Sequence, residues 1–134
     1  MDDFYKENIL DHYRHPRNAG RLDCATHAHE EHNPLCGDTV QIELCVNEQQ
    51  IIDRVGFSGR GCAISIACAS MLTELLTGKT LDEAKQIDKQ DILELLGIPI
   101  GPTRLKCALL SLKALKVAVY GLHQVHVNEE NEDW

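Results

Sequence analysis

The feature of this sequence that most constrains its fold is a change of hydrophobic period near residue 60. From Asp38 to Val46 apolar residues alternate with other residues, which is the period of a half-buried β-strand. A polar turn at Asn47 to Gln50, followed by Ile51 to Ser58, predicts an antiparallel hairpin that ends in Gly59-Arg60-Gly61. Beyond Cys62 the period becomes 3.6 residues, which predicts that a helix directly follows the hairpin.

Further helical segments lie on both sides of this hairpin. Residues 3–14 are predicted to form a helix that Pro16 stops, and the helix after Cys62 is predicted to end at Gly78. Thr80-Leu-Asp-Glu83 is a capping-box sequence that predicts the start of short helices. After a connector at 97–103, the last helix presents one apolar face, formed by Leu105, Ala108, Leu112, Leu115 and Val119. Residues 24–35 lack periodicity and are predicted to be a loop or an edge strand.

These elements predict an α+β fold, in which helices pack on one face of a small antiparallel β-sheet. The 134 residues, 43% hydrophobic and 25% charged, suit one globular domain. We expect that domain to span residues 1–127 and an acidic, flexible tail to occupy residues 128–134.

Charge and hydropathy exclude several classes of function. The formal net charge of −8 argues against a nucleic-acid partner, since such proteins carry a basic face. The sequence does not open with a basic stretch and an apolar segment, and no window approaches 18 consecutive apolar residues. We therefore expect neither secretion nor membrane association, and a cytoplasmic location.

The six cysteines carry the chemistry of this chain. In a reducing compartment they are expected to bind metal or handle sulfur rather than to form disulfides. There is no C-x-x-C motif, which argues against zinc-ribbon and thioredoxin-like proteins. Three of the cysteines lie where the predicted structure changes, and we expect them to be accessible: Cys36, Cys62 and Cys107.

These three cysteines and Asp38 form the predicted site. Residues 36 and 38 lie on the same face of an extended strand, so both would reach one ion. A helix N-terminus, predicted at Cys62 and near Cys107, favours thiolate over thiol. Three thiolates and one carboxylate suit Zn²⁺ or iron–sulfur chemistry, and the carboxylate, as the weakest donor, predicts a labile site. Arg104 and Lys106 would temper its negative charge.

Each of these residues also has an ordinary structural explanation. Asp38 would suit a strand-entry turn, and Arg104 and Lys106 would suit a solvated helix turn. Cys24, Cys45 and Cys68 are interpreted as small core residues. His27, His29 and His32 are interpreted as solvated polar residues, and His12 as a helix-surface or partly packed one.

Enzyme motifs fit poorly. His29-Glu-Glu-His32 has the wrong spacing for a zinc protease, and the P-C-x-x-C of zinc deaminases is missing. A cysteine hydrolase stays open, because sequence spacing alone neither shows nor excludes its constellation.

The sequence blocks resemble those of the IscU/SufU/NifU N-terminal-type iron–sulfur cluster assembly proteins. The resemblance covers nearly the whole chain except the tail. The blocks that carry it are Asp11-His-Tyr-Arg-His-Pro-Arg-Asn-Ala-Gly20, Asn33-Pro-Leu-Cys-Gly-Asp38, Gly59-Arg-Gly-Cys-Ala-Ile-Ser65, Gly78-Lys-Thr-Leu-Asp-Glu83 and Arg104-Leu-Lys-Cys-Ala108. It implies a SufE/NifU-like fold and the ligand set Cys36, Asp38, Cys62 and Cys107.

The resemblance also implies a function and partners. Such proteins accept sulfane sulfur from a pyridoxal-phosphate-dependent cysteine desulfurase, and many assemble a [2Fe–2S] cluster for apo iron–sulfur proteins. Cys36 or Cys107 is the implied sulfur acceptor. Lys106 stands where the IscU branch has a histidine, so the third cysteine is similar to the SufU branch. The 44 residues between Cys62 and Cys107 look too few for the SufU insertion.

Three functional hypotheses follow. The first is an assembly scaffold that accepts sulfur and carries a transient cluster or iron, with Zn²⁺ in its resting site. The second is a zinc-dependent sulfurtransferase that shuttles sulfur without assembling a cluster. The third is a zinc-stabilised binding module without sulfur chemistry. Because Ile98-Pro-Ile-Gly-Pro-Thr103 stands in place of the chaperone-recognised Leu-Pro-Pro-Val-Lys of the IscU branch, the resemblance does not extend to that chaperone partnership, and the sequence leaves a chaperone requirement open.

Overall fold

The computed structural model describes residues 2–34 and 37–120, which form the predicted α+β arrangement. The elements, in chain order, are α1 (Asp2–Arg14), β1 (His27–His32), β2 (Thr39–Val46), β3 (Ile52–Arg60), α2 (Ala63–Leu76), α3 (Leu81–Lys85), α4 (Lys89–Leu96) and α5 (Pro102–Tyr120). Within these two ranges, no helix combines the length and the apolar character needed to span a lipid bilayer. The predicted tail at 128–134 lies outside the described residues.

The three strands form one antiparallel sheet in the order β1-β2-β3. The predicted hairpin is confirmed as β2 and β3, and Asn47 shapes its turn by accepting hydrogen bonds from the backbone N–H groups of Gln49 (2.9 Å) and Ile51 (3.0 Å). The stretch that was predicted to be loop or edge strand contains the edge strand β1. Thr39 pairs with Arg60 in the register, so the start of β2 and the end of β3 meet at one end of the sheet.

The core lies between the sheet and the helices. Helix α5 packs against β1 and β2, α2 packs against α5 and β3, and α1 lies on α2. The largest fully buried side chains are Ile42, Leu44, Ile52, Leu72, Leu76, Ile92, Leu96, Leu112 and Leu115. Each of them contributes about 1.5–3 kcal/mol by leaving water. This packing fixes α2 and α5, the two helices that carry Cys62 and Cys107 at or near their first turns.

The helix ends follow local sequence chemistry. The predicted capping box is present, with Thr80 and Glu83 each bonding the other's backbone N–H at 3.1 and 2.9 Å. A second capping box at α4 was not predicted. Gly97 ends α4 with a left-handed φ of 69°, and a Cβ there would overlap the ring of Tyr5 in α1. A glycine is therefore required both by the turn and by the helix packed on it.

The outer face of the sheet is covered, which corrects the expectation of a half-buried β2. Residues 18–26 first bond the edge of β3, where the Gly20 N–H donates to the Phe57 carbonyl oxygen at 2.7 Å. They then cross the outer face, so that Glu43 is only 3% exposed and meets Arg21 at 2.7 Å. This segment has no apolar period, which is why sequence pattern alone did not place it on the sheet.

Candidate metal centre

Three of the four predicted ligands meet at the end of the sheet where β2 begins. Asp38 directly precedes β2, Cys62 is the N-cap residue of α2, and Cys107 lies in the second turn of α5. The pairing of Thr39 with Arg60 brings Asp38 beside the segment that leads into α2. The hairpin register therefore places Asp38 beside Cys62. Helix α5 packs across the sheet and brings Cys107 to the same place.

The three side chains are close enough to share one ion. One ligand atom from each lies within 4.8 Å of the others, and no other group of three or more Cys, His, Asp or Glu side chains does so among the described residues. Asp38 and Cys107 are 6% and 5% exposed, whereas Cys62 is partly exposed. The expected accessibility is therefore wrong for Cys107, because α5 packs tightly on the sheet. The cluster opens to solvent on the Cys62 side.

The donor atoms fit zinc. A tetrahedral site with Zn–S bonds of about 2.3 Å and Zn–O bonds of about 2.0 Å places its ligand atoms roughly 3.5–3.8 Å apart, which the observed limit of 4.8 Å allows. Two sulfurs and one oxygen also select zinc or iron–sulfur species over Mg²⁺ or Ca²⁺. Three ligands leave room for a fourth, whether from the protein or from a bound substrate.

Ser65 connects the candidate ligands. This serine is fully buried in the first turn of α2. Its Oγ donates to Asp38 Oδ2 at 2.6 Å and also lies 3.3 Å from the Cys107 carbonyl oxygen and 3.6 Å from Cys62 Sγ. Because a hydroxyl has one proton, the shortest contact identifies Asp38 as its main acceptor. Ser65 thus holds the Asp38 carboxylate beside the two thiols.

Asn33 braces the opposite side of the cluster. Its buried side-chain Nδ2 donates to Cys107 Sγ at 3.9 Å, and its backbone N–H donates to the Asp38 carbonyl oxygen at 2.8 Å. The Gly37 N–H in turn donates to the Asn33 carbonyl oxygen at 2.8 Å. These bonds tie together the two ends of the segment from residue 33 to residue 38.

Gly61 permits the close approach of Asp38. A Cβ at position 61 would lie 2.7 Å from Asp38 Cγ and 3.0 Å from Oδ2, which is closer than side chains tolerate. A larger residue would push the carboxylate away from Cys62.

The remaining predicted site residues are distributed as follows. Cys36 lies outside the described residues, so its place in the ligand set stays a prediction. Arg104 and Lys106 are exposed on the first turns of α5, the helix that carries Cys107. Their effect on the charge of the site stays a prediction.

Among the residues that the structure describes, no histidine belongs to this group of ligands. On β1, His29 Nε2 lies 2.7 Å from Glu31, and His32 Nδ1 lies 3.0 Å from Thr39 Oγ1. His12 is buried between α1 and α2, where Nδ1 lies 2.7 Å from Ser70 Oγ, and burial lowers the pKa of its imidazole. The interpretation of His12 as a partly packed residue is confirmed.

The other cysteines divide into one core residue and one pair. Burial raises the pKa of the Cys68 thiol, which is 1% exposed, so its interpretation as a core residue is confirmed. Cys24 and Cys45 form a disulfide, which corrects the expectation of unpaired cysteines. Cys24 is exposed rather than part of the core, because residues 24–26 run beside the edge of β2 and lead into β1.

Sequence reasoning missed Ser65 and Asn33 as parts of the site. Ser65 lies three residues after Cys62 in a helix, a spacing that places both side chains on one face and is the available local signal. Asn33 has no comparable signal, because its partners Cys107 and Asp38 meet it only through tertiary structure.

Comparison with known proteins gives one consistent result. A family model described as the NifU-like N-terminal domain matches residues 4–128. The iron–sulfur cluster assembly scaffold protein IscU of Azotobacter vinelandii is 38% identical over 118 residues, which cover 86% of this chain and 91% of that protein. The zinc-dependent sulfurtransferase SufU of Bacillus subtilis strain 168 is 35% identical over 136 residues, which cover 89% of this chain and 91% of that protein.

A solved structure agrees with these relatives. A candidate iron–sulfur cluster assembly scaffold protein for the SUF system, from Fervidobacterium islandicum AW-1, superposes with a TM-score of 0.72 at 29% identity. The superposition covers 84% of this chain and 94% of that one. The family resemblance and the α+β fold that were expected from the sequence are confirmed.

Proposed function

This chain belongs to the NifU-like N-terminal domain family, and from that premise we propose that it is an iron–sulfur cluster assembly protein that accepts sulfur and carries a transient cluster. The observation that supports this most is the convergence of Asp38, Cys62 and Cys107 within 4.8 Å, in a cluster open on one side. A structural zinc site is closed by four ligands that stay bound, whereas a transfer site needs a position that can open, as it would here if the carboxylate of Asp38 left the metal.

The ligand set that we propose is Cys36, Asp38, Cys62 and Cys107. Cys36 precedes Asp38 by two residues in the segment that Asn33 ties together, so its chain position suits a fourth ligand. Zinc bound there would keep the thiols deprotonated and shield them from oxidation. Asp38 would be the ligand most easily displaced, since a carboxylate holds soft metals less tightly than a thiolate does.

The sulfur-accepting step requires a free thiolate. We propose that Cys36 or Cys107 attacks the outer sulfur of a persulfide on a pyridoxal-phosphate-dependent cysteine desulfurase. A new S–S bond forms on the acceptor, the S–S bond of the partner breaks, and the cysteine of the partner leaves as a thiolate. Because Cys107 is 5% exposed and bonded by Asn33, its reaction would require the side chain of Asn33 to move aside.

A zinc-dependent sulfurtransferase that does not assemble a cluster is the second candidate. Lys106 before Cys107 favours it, since no histidine at that position is available to hold iron. Its similarity to a relative of that description also favours it. In both candidates a cysteine desulfurase donates the sulfur. Only the scaffold would also carry a [2Fe–2S] cluster or iron and deliver it to apo iron–sulfur proteins. For both, a cytoplasmic location suits a thiol-based site.

The test is the turnover of a cysteine desulfurase with the zinc-loaded protein added, in the presence and absence of iron. Stimulation without iron that Cys36→Ser, Cys62→Ser and Cys107→Ser each abolish would support a sulfur acceptor. A cluster absorbance that appears only when iron is supplied would support the scaffold. If neither appears and Asp38→Ala unfolds the protein, a zinc-stabilised binding module is the correct description.

A further inference from the structure

A second pair of cysteines lies at the opposite end of β2 from the metal centre. Cys24 and Cys45 form a disulfide with a Cα–Cα distance of 5.5 Å, and they are 21 residues apart in the sequence. Cys24 is exposed, whereas Cys45 is 7% exposed. Seven residues of extended strand, roughly 20 Å, separate Cys45 from Asp38.

The backbone holds the two cysteines together without help from the S–S bond. The Thr26 N–H donates to the Leu44 carbonyl oxygen at 2.8 Å, and the Thr26 hydroxyl donates to the same oxygen at 3.1 Å. The Val46 N–H donates to the Thr26 hydroxyl at 3.0 Å. Three hydrogen bonds to neighbouring residues therefore keep Cys24 beside Cys45 after reduction, so the disulfide can form again without a search.

The surroundings of the two sulfurs differ. Arg54 faces Cys45 across the β2–β3 register, and its Nη1 lies 3.9 Å from Cys24 Sγ. A guanidinium at this distance stabilises negative charge on the Cys24 sulfur. An open cleft of about 250 Å³ lies between residues 18–22 and β3. Arg54, which contacts Cys24, also lines this cleft. A small thiol therefore has room to approach beside Arg54.

From this arrangement we infer that Cys24 and Cys45 are a thiol–disulfide exchange site for low-molecular-mass thiols and their disulfides. In reduction, an incoming thiolate attacks the accessible Cys24 sulfur, the Cys24–Cys45 bond breaks, and Cys45 leaves and takes a proton. A second thiol attacks the mixed disulfide at its non-protein sulfur and releases Cys24 as a thiolate beside Arg54. The protein gains two electrons, and the two small thiols leave as their disulfide.

Oxidation is the reverse of this sequence and uses a low-molecular-mass disulfide as oxidant. Exposed Cys24 attacks first, and buried Cys45 then resolves the mixed disulfide, which is the division of labour typical of redox-sensitive cysteine pairs. Cys68 takes no part, because it is buried in the core. The inference does not depend on the proposed function, since none of its residues belongs to the metal centre.

The experiment follows mixed-disulfide formation with oxidised glutathione by peptide mass spectrometry on the folded, zinc-loaded protein. In the Cys45→Ser variant, Cys24 should form the mixed disulfide with oxidised glutathione at least about tenfold faster than Cys45 does in the Cys24→Ser variant. Arg54→Gln combined with Cys45→Ser should slow the reaction at Cys24 about threefold, and Arg54→Lys should restore it. Circular dichroism checks that each variant is folded.

The wild-type protein provides an independent measurement, because it requires no substitution at the cysteines. After reduction and transfer into excess oxidised glutathione, residues 24 and 45 should both become resistant to alkylation, linked to each other. Equal rates at the two cysteines in the single variants, or a wild-type pair that stays open to alkylation under these conditions, would overturn the inference.

Discussion

The two ends of strand β2 use the same amino acid for different chemistry. At the Asp38 end, two thiols stand beside a buried carboxylate that Ser65 holds in place. At the Cys45 end, a buried sulfur and an exposed one are joined in a disulfide, with Arg54 beside them. The difference lies in the neighbours rather than in the cysteines. Hydrogen-bonded polar groups surround the candidate ligands at one end, whereas two sulfurs bond directly to each other at the other end.

The largest expected effect concerns the ligands themselves. Cys62→Ser or Cys107→Ser should lower zinc affinity by more than about 100-fold, because even groups that only support a ligand change affinity by 10–100-fold. Competition with a chelating dye measures this affinity. Cys68→Ala is the matched control, since Cys68 lies in α2 but within the core. Equal losses in the control would show that fold damage, rather than ligand loss, explains the result.

The second effect separates the two ends by stability. Replacing both Cys24 and Cys45 with serine should lower the free energy of unfolding by about 3 kcal/mol, because the disulfide restricts a loop of 21 residues in the unfolded chain. Zinc affinity should not change, since the pair lies at the far end of β2. Denaturant unfolding of the metal-free protein measures the first quantity. A large fall in zinc affinity would show that the two ends are coupled.

The third effect tests the positioning of Asp38. Ser65→Ala should weaken zinc binding by about 10–100-fold and speed zinc exchange, because the carboxylate loses the hydroxyl that orients it. Ser70→Ala is the control on the same helix, since Ser70 is equally buried but bonds His12. Both variants lose a buried hydrogen bond, but only Ser65→Ala should alter zinc exchange. Identical exchange rates in the two variants would remove Ser65 from the site.

The smallest expected effect uses acid and concerns His12, which lies between α1 and α2. Burial lowers the pKa of His12, so the unfolded chain binds its proton more readily than the folded chain does. The buried, neutral imidazole of His12 therefore contributes fully to stability above the ordinary histidine pKa of about 6.5. That contribution is lost as the pH falls through the lowered pKa. The free energy of unfolding of the metal-free protein should fall modestly between pH 7 and pH 5. In the His12→Asn variant this fall should be absent. A loss that persists in His12→Asn would assign it to another group.

How much the sequence predicted differs between regions of the fold. The β2–β3 hairpin and α2 follow from local periods, and the Thr80–Glu83 cap follows from local hydrogen-bonding chemistry. Strand β1 carries histidine and glutamate at five of its six positions instead of large apolar residues, so its strand character depends on pairing with β2. Residues 18–26 carry no period at all, which left the cover over Glu43 and Cys45 unpredicted.

The candidate site shows the same division. Strand alternation singled out Asp38, the change from hairpin to helix singled out Cys62, and the family resemblance pointed to the same residues. Helical spacing places Ser65 beside Cys62, but the bond of Ser65 to Asp38 and the bond of Asn33 to Cys107 arise only when β2, α2 and α5 meet. The pairing of Cys24 with Cys45 was missed for the same reason, since 21 intervening positions carry no signal of proximity.

The most direct test of the account is to locate sulfur on the protein after reaction with a cysteine desulfurase and cysteine. Peptide mass spectrometry under non-reducing conditions would find the cysteine that carries one additional sulfur atom. The account predicts that this sulfur lies on Cys36 or Cys107, at the Asp38 end of β2, and that the Cys24–Cys45 pair carries none. Sulfur found on Cys24, or on no cysteine of the metal centre, would contradict it.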